Sequence, residues 1–316
     1  MSELPRVVAV VGPTAAGKGE LGRELAQRLD REVVVCDSVK VYRGLDIGSG
    51  KPDATQRARV RHHLVDVVDP DQPFSAIDYA ALAWPLLQQT PAIVVGGTGF
   101  YLRATLWTQT APREGAHDAA HGDAQRDAFE AKWRARERDE PGAMARGLAA
   151  IDPDTAAEIH PANLVRLARN LWLCAVNDGP ISRARALDPP RPRAALMLVV
   201  LDPGPALAAR IERRVDAMLA QGWLGEVEML QRAGYHAGHK AMQTLGYRQL
   251  LDVVEGRRDL ASARVEIIAA TRQYARRQRT FFRHQLPGAV IHTIARPADC
   301  PFSAIDAFLA GDREMT

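Results

Sequence analysis

Apolar residues in this chain fall in short uninterrupted runs separated by longer segments of helical period. Residues 7–11, 33–36, 92–95 and Ala195–Leu201 are such runs. Their length and β-branched content predict strands buried on both faces, as in a parallel sheet. Between the early runs, residues 20–29 and 78–84 carry apolar positions at helical spacing. The first hundred residues therefore alternate strand and helix, the pattern of an α/β fold. Residues 108–123 are polar and rich in Gly, Ala and His, which predicts an exposed linker. Residues 124–150 are dominated by Arg, Glu and Ala. They predict one or two polar helices with too few apolar residues for a core, hence an insertion lying over the main domain. Residues 152–174 predict a helix opened by Asp152-Pro153, and residues 180–193, with four prolines, a loop. Residues 206–233 and 260–283 predict long helices, the first followed by a Gly/His-rich turn at 234–239. From Ala289 the pattern gives a short strand and a weak helix.

The junction after the first strand adds chemistry to this outline. Gly12-Pro13-Thr14-Ala15-Ala16-Gly17-Lys18 stands between strand and helix, the arrangement of a P-loop. Backbone N–H groups of such a loop cradle phosphate oxygens, the helix N-terminus adds positive potential, and Lys18 adds a full charge. The next residue is normally Ser or Thr, whose hydroxyl holds Mg²⁺; here it is Gly19. The expected phosphate-binding residues are thus Gly12, Pro13, Thr14, Ala15, Ala16, Gly17, Lys18 and Gly19, with no protein ligand for a metal. The fold class expected is α/β: a P-loop parallel sheet flanked by helices, with a helical insertion and a helical C-terminal region. Residues 1–107 form the first part of the core, 108–150 the insertion, 151–288 the helical return to the core and 289–316 a tail.

Ligands in such sheets sit at the carboxyl ends of strands, so Lys18, Asp37 and Thr98 are expected to share one cleft. Asp37 is readable as a Mg²⁺-organising acid or as a base for an attacking group, and the residues alone leave both open. Gly96-Gly97-Thr98-Gly99 is either a tight turn or a substrate contact. The adjacent His62 and His63 are expected to be structural. The net charge of +3 decides nothing by itself. Its distribution is more informative: residues 267–298 hold six arginines and no acid. Arg272, Arg276, Arg279 and Arg283 align on one helical face, widened by Arg277 and interleaved with Tyr274, Phe281 and Phe282. This is either a nucleic-acid footprint or a solvated face whose aromatics point to the core. The three widely spaced cysteines, Cys36, Cys174 and Cys300, predict no disulfide framework and fit a reducing cytoplasm. No apolar run approaches the ~20 residues of a membrane span, and no signal peptide is expected.

Several blocks, in order over roughly residues 6 to 285, resemble the tRNA dimethylallyltransferases, also called tRNA isopentenyltransferases. They are the P-loop itself, Asp37-Ser38-Val39-Lys40-Val41-Tyr42-Arg43-Gly44-Leu45-Asp46-Ile47-Gly48 with Lys51-Pro52, and His62-His63-Leu64-Val65-Asp66. They continue with Val95-Gly96-Gly97-Thr98-Gly99-Phe100-Tyr101-Leu102-Arg103, Ile159-His160-Pro161 with Arg166 and Arg169, and Ala209-Arg210-Ile211-Glu212-Arg213-Arg214. Leu245-Gly246-Tyr247-Arg248-Gln249 and residues 270–283 complete the set. The resemblance implies transfer of a dimethylallyl group from dimethylallyl diphosphate, with Mg²⁺ as cofactor, to the exocyclic amine of the adenosine 3′ to the tRNA anticodon. It implies Asp37 as base, Thr14, Lys18 and Arg210 stabilising the diphosphate, and Thr98 beside the substrate. It implies tRNA contacts at Asp37, Ser38, Val39, Lys40, Thr98, Arg126, Arg166, Arg169, Gln243, Gly246, Tyr247, Arg248, Arg272, Arg276, Arg277, Arg279 and Arg283. The expected partners are the anticodon stem-loop of tRNA and dimethylallyl diphosphate, without a membrane, and the chain is expected to be a monomer in the cytoplasm. The chain departs from the pattern at Gly19, Lys40, Asn163 and the run Asn170-Leu171-Trp172. A P-loop small-molecule kinase, which would bind ATP, and a catalytically silent tRNA-binding relative are the alternatives.

Overall fold

The computed structural model describes residues 4–108 and 119–311, the side chains of 119–124 excepted. The chain divides into two compact units, one of Met1–Trp107 with Pro192–Thr316 and one of Thr108–Arg191.

The first unit is built on a six-stranded parallel sheet of β1 (Arg6–Val11), β2 (Glu32–Cys36), β3 (His62–His63), β4 (Ala92–Gly96), β5 (Ala195–Leu201) and β6 (Val290–Ile294), ordered β3-β2-β4-β1-β5-β6. β1 lies at the centre, with Val8 paired to Ile93 and to Met197. Alternation along the strands divides their side chains between two cores. Val7, Ala9 and Val11 enter one and Val8 and Val10 the other, which is why the runs are uniformly apolar. The smaller core is closed by Leu21, Leu25 and Ala26 of α1 (Lys18–Arg28) and by Ile305 near the C-terminus. α2 (Ala54–Arg59) is short; α3 (Ala76–Gln89) and α4 (Gly99–Leu106) cover the other face. α3 runs on through Pro85, beyond the 78–84 pattern, and is opened by a capping box between Ser75 and Asp78.

In the second unit α5 (Ala119–Asp139) begins inside the segment expected as linker, of which residues 109–118 lie outside the described residues. α6 (Ala143–Ile151), α7 (Pro153–Ala157), α8 (Leu164–Val176) and α9 (Ile181–Leu187) follow. The expected single helix over 152–174 is two, because Asp152 caps α7 and Asn163 caps α8. The expected loop over 180–193 contains α9, with Pro180 at its N-cap, where a missing N–H costs nothing. The unit reaches Arg191 rather than residue 150, and it has a core of its own. Met144 and Leu148 of α6 pack with Leu167, Leu171 and Cys174 of α8, joined by Phe129 and Trp133.

Back in the first unit, the long helix expected over 206–233 is α10 (Leu207–Ala220) and α11 (Trp223–Arg232), broken at Gly222 with φ +100°. α12 (Tyr247–Val254) and α13 (Leu260–His284) complete the larger core. The tail is part of the sheet unit, since β6 pairs with β5 and α14 (Phe302–Ala310) packs beside β1. No helix among the described residues is long and apolar enough to cross a membrane.

Candidate active site

The loop from β1 into α1 is built on three left-handed residues: Gly12 (φ +136°), Ala15 (φ +64°) and Gly17 (φ +102°). A Cβ on Gly12 would collide with the carbonyl oxygen of Leu201. Gly17 stands at the N-cap of α1, which has no side-chain cap, so the first N–H groups of the helix remain open to an anion. Lys18 Nζ donates to Pro13 O at 2.7 Å, and Arg210 Nη1 to Ala16 O at 3.1 Å. Thr14 N donates to Gln278 Oε1 at 2.8 Å, and Gln278 Nε2 donates to Gly97 O at 2.9 Å.

β2 and β4 end side by side, Cys36 paired with Gly96. Gly97 N and Thr98 N both donate to Cys36 O at 3.2 Å, and Ser38 N donates to Thr98 Oγ1 at 3.0 Å. The glycines of this turn are required by space: a Cβ on Gly96 would strike Cys36 O, on Gly97 the amide of Gln278, and on Gly99 the ring of Phe281. Asp37 Oδ1 accepts from Val39 N at 2.9 Å and Lys40 N at 3.3 Å. Its Oδ2 has no partner among the described residues.

Two chambers meet at these strand ends and share Thr14, Asp37, Ser49 and Arg214. The first, of about 300 Å³, is lined by the cations Lys18, Arg23, Lys40, Lys51 and Arg214. Lys51 is neutralised by Asp46 and Asp66, each at 2.6 Å. Burial, reinforced by Arg214 and Lys40 and opposed by Asp37, lowers the Lys18 ammonium to about 7. Burial lowers Lys40 and Arg214 in the same direction, with Asp37 opposing both. The chamber therefore holds more cationic than anionic side chains, its lining carboxylates being Asp37 and Glu20, an arrangement an anionic ligand would complete. The second chamber, of about 240 Å³, is chiefly apolar, with Val39, Ile211, Val215, Met218, Trp223 and Tyr274 among its walls.

Some expected site residues lie at these chambers and others do not. Thr14, Gly17, Lys18, Gly19, Asp37 and Lys40 line the first; Ser38 and Val39 line the second. Thr98 stands just behind, holding Ser38. Arg210 faces the loop carbonyl and lines neither chamber, whereas Arg214, one helical turn on, lines both. Tyr247 is fully buried and donates to Glu226 Oε1 at 2.6 Å. Gly246 has φ +92° and its Cβ would strike Trp223. These two pack against Trp223, which lines the second chamber. Buried Glu226 also accepts from Asp46 N, Ile47 N and Gly48 N at 2.9, 2.7 and 3.3 Å, and so shapes the loop that borders both chambers. Gln243 and Arg248 are exposed, the latter 3.3 Å from Glu266. Arg23, Arg214, Glu226 and Gln278 were not distinguished by the sequence pattern.

On α13 the arginines divide. Arg279 grips Asp202 through two bonds of 2.7 and 2.5 Å and adds Gly204 O at 3.0 Å, while Arg272 reaches Glu212 at 3.4 Å. Arg276, Arg277 and Arg283 are exposed without an ion pair among the described residues, Arg277 lying over the Tyr274 ring. Phe282 turns into the core. In the second unit Arg166 is exposed, and Arg126 lies 3.2 Å from Asp127. Arg169, on α8, is half-buried. His63 bonds Glu32 and His62 bonds Val60 O at 2.7 Å, and His62 also lines the first chamber.

The donors present do not make a protein-only Mg²⁺ site. Position 19 offers no oxygen, and among the described residues no group of three His, Cys, Asp or Glu converges. The neighbour of Gly19 is the guanidinium of Arg23, 3.5 Å from where a Cβ would stand.

Residues 40–285 match the model of the IPP transferase family and residues 5–67 that of isopentenyl transferase. The chain is 40% identical over 298 residues to a tRNA dimethylallyltransferase of Roseiflexus sp., covering 93% of each chain. It is 41% identical over 287 residues to tRNA dimethylallyltransferase 1 of Pelobacter propionicus, covering 88% of this chain and 90% of that one. Its fold matches the full-length tRNA isopentenylpyrophosphate transferase of Bacillus halodurans with a TM-score of 0.65 and 30% identity, over 97% of this chain and 96% of the other. A eukaryotic dimethylallyltransferase acting on tRNA shares the fold at a TM-score of 0.77 and 23% identity, over 98% of this chain and 79% of that one.

Proposed function

The chain belongs to the IPP transferase family, and on that premise we propose how its two chambers carry out tRNA prenylation. The substrate is dimethylallyl diphosphate, and the acceptor is the exocyclic amine of the adenosine on the 3′ side of the anticodon. The observation that carries this reading is the junction itself: Asp37, Thr14 and Arg214 stand where a cationic chamber opens into an apolar one. A diphosphate fits the first chemically and a five-carbon chain the second. The reacting carbon then lies at the boundary, beside the free Oδ2 of Asp37.

In the transfer, the adenine nitrogen forms a bond to C1 of the dimethylallyl group while the C1–O bond breaks. The electron pair leaves with the diphosphate, and Asp37 takes the amine proton. The backbone N–H groups of Val39 and Lys40 hold Oδ1, which aims the carboxylate and leaves the other oxygen for the proton. Lys18, Lys40, Arg214 and Thr14 face the charge that develops on the leaving group, where preorganised donors act most strongly. Arg210 steadies the loop through Ala16 O. The adenosine must leave its stack to reach this depth. Arg276, Arg277 and Arg283 on α13, and separately Arg126, Arg166 and Arg169 in the second unit, are the tRNA-backbone contacts of this reading. Three buried free thiols among the described residues are in keeping with a reducing cytoplasm. A kinase or a silent tRNA-binding protein is not favoured, since the relatives are named tRNA dimethylallyltransferases.

The test is incubation of the full chain with dimethylallyl diphosphate and unmodified tRNA, followed by nucleoside mass analysis. Asp37→Ala is expected to lower the single-turnover rate by ~10²–10⁴ with tRNA affinity retained. A rate within a few-fold of wild type would remove Asp37 from the role of base.

A further inference from the structure

In a P-loop the residue after the lysine normally gives Mg²⁺ a hydroxyl. Here that residue is Gly19, and a different group stands beside it. Arg23 lies one helical turn further along α1, and side chains on a helix lean back toward its N-terminus. Its Nη1 comes within 3.5 Å of the point where a Cβ on Gly19 would sit. Arg23 is half-buried, lines the cationic chamber, and has no ion pair or hydrogen bond among the described residues. It also adds to the positive surroundings of Lys40 and His62. Glu20 and Asp37 also line that chamber, but neither is in an ion pair with Arg23, and a guanidinium held beside other cations without a paired carboxylate is unfavourable until an anion completes it. Its planar fork suits phosphate oxygens better than any other protein cation.

We propose that Arg23 takes the place of the metal in this chain, so that the diphosphate is held by protein cations and its binding does not require Mg²⁺. This rests on the reading that the cationic chamber is the diphosphate site. Gly19 has a reason on this view: a Ser or Thr side chain there would meet the guanidinium and compete for the same ligand oxygens.

The experiment is calorimetric titration of the full chain with inorganic pyrophosphate, in EDTA and in Mg²⁺, alongside melting curves of each variant without ligand. The wild type is expected to bind in EDTA within about threefold of its affinity in Mg²⁺. Arg23→Ala is expected to lose about tenfold or more in EDTA, the loss of one charge-assisted contact, with an unchanged melting temperature. Arg23→Lys, which keeps the charge, is expected to retain most of the affinity. Gly19→Thr combined with Arg23→Ala is expected to make binding depend on Mg²⁺. Wild-type binding that collapses in EDTA would overturn the proposal and leave the diphosphate site intact. An Arg23→Ala affinity in EDTA equal to wild type would overturn the role of Arg23. Absence of pyrophosphate binding under both conditions would overturn the site itself, and the proposal with it.

Discussion

The side-chain amide of Gln278 joins two loops that belong to different strands: it accepts from Thr14 N at 2.8 Å and donates to Gly97 O at 2.9 Å. Gln278 is buried on α13, so the basic helix is also the part that sets the loop after β1 against the turn after β4. A Cβ on Gly97 would collide with this amide, which accounts for glycine there.

Gln278→Leu is therefore expected to cost about 1–3 kcal/mol, the penalty for leaving a buried N–H and carbonyl unpaired. The same change should raise KM for dimethylallyl diphosphate, because Thr14 loses its anchor. Chemical denaturation together with steady-state kinetics checks both. Lower stability with unchanged KM would mean that Thr14 is positioned by other contacts.

Glu226 is the second buried organiser. It accepts from three successive backbone N–H groups, of Asp46, Ile47 and Gly48, and from Tyr247 Oη. Burial, with Glu226 reinforcing it, raises the Tyr247 phenol far above its ordinary range, so the tyrosine stays a donor. Glu226→Ala is expected to destabilise the protein by about 3 kcal/mol, since bonds to a charged group are each worth about 1.5–3 kcal/mol. Tyr247→Phe should cost less, about 1 kcal/mol. Equal losses in melting experiments would show that the backbone bonds contribute nothing.

The arginines of α13 are expected to separate by readout. Arg276→Ala, Arg277→Ala and Arg283→Ala should each flatten the log–log salt dependence of tRNA binding by roughly 0.7–0.9. Arg279 is engaged with Asp202, so Arg279→Ala should leave that slope unchanged and lower stability by up to about 1 kcal/mol. Four slopes equal to that of the wild type would favour a face that merely solvates the helix.

Lys18 predicts a pH dependence. In the free protein burial, with Arg214 and Lys40, lowers its ammonium to about 7, and a bound diphosphate raises it again. Below pH 7 both states carry the proton and affinity does not change through this group. Above pH 7 the free protein has lost the proton and binding must take it up, so affinity falls by up to about tenfold per pH unit until the bound-state value is reached. Calorimetry in buffers of different ionisation enthalpy reads that uptake directly. Lys18→Arg, always charged, should abolish it; uptake persisting in this variant would assign the proton to another group.

Much of this molecule was legible before its structure. The apolar runs of β1, β2, β4 and β5 announced a sheet covered on both faces, because a strand buried on two sides cannot afford alternation. The glycine-rich loop and Lys18 announced one wall of the cationic chamber, because strand, turn and helix N-terminus are neighbours in the chain. The absence of a hydroxyl at Gly19 was visible for the same reason. Helix breaks were less legible: Gly222 divides α10 from α11 within a stretch of continuous amphipathic pattern, and α9 lies in a proline-rich segment whose composition favours a loop.

What the sequence by itself determined is therefore local: which segments are strands, which loop joins β1 to α1 at the cationic chamber, and that α13 carries a stripe of arginine. Which of those arginines remain available was decided by folding, which brings Asp202 to Arg279 and leaves Arg276 exposed. Arg214 and Arg210 occupy the same helix one turn apart, and only the direction α10 faces sends the first into the chambers and the second onto the loop. Gln278 meets Thr14 across 264 residues of chain and Glu226 meets Asp46 across 180. Such bonds are worth making only when packing has excluded water from both partners, and no spacing along the chain records which distant backbone groups folding will leave in need of one.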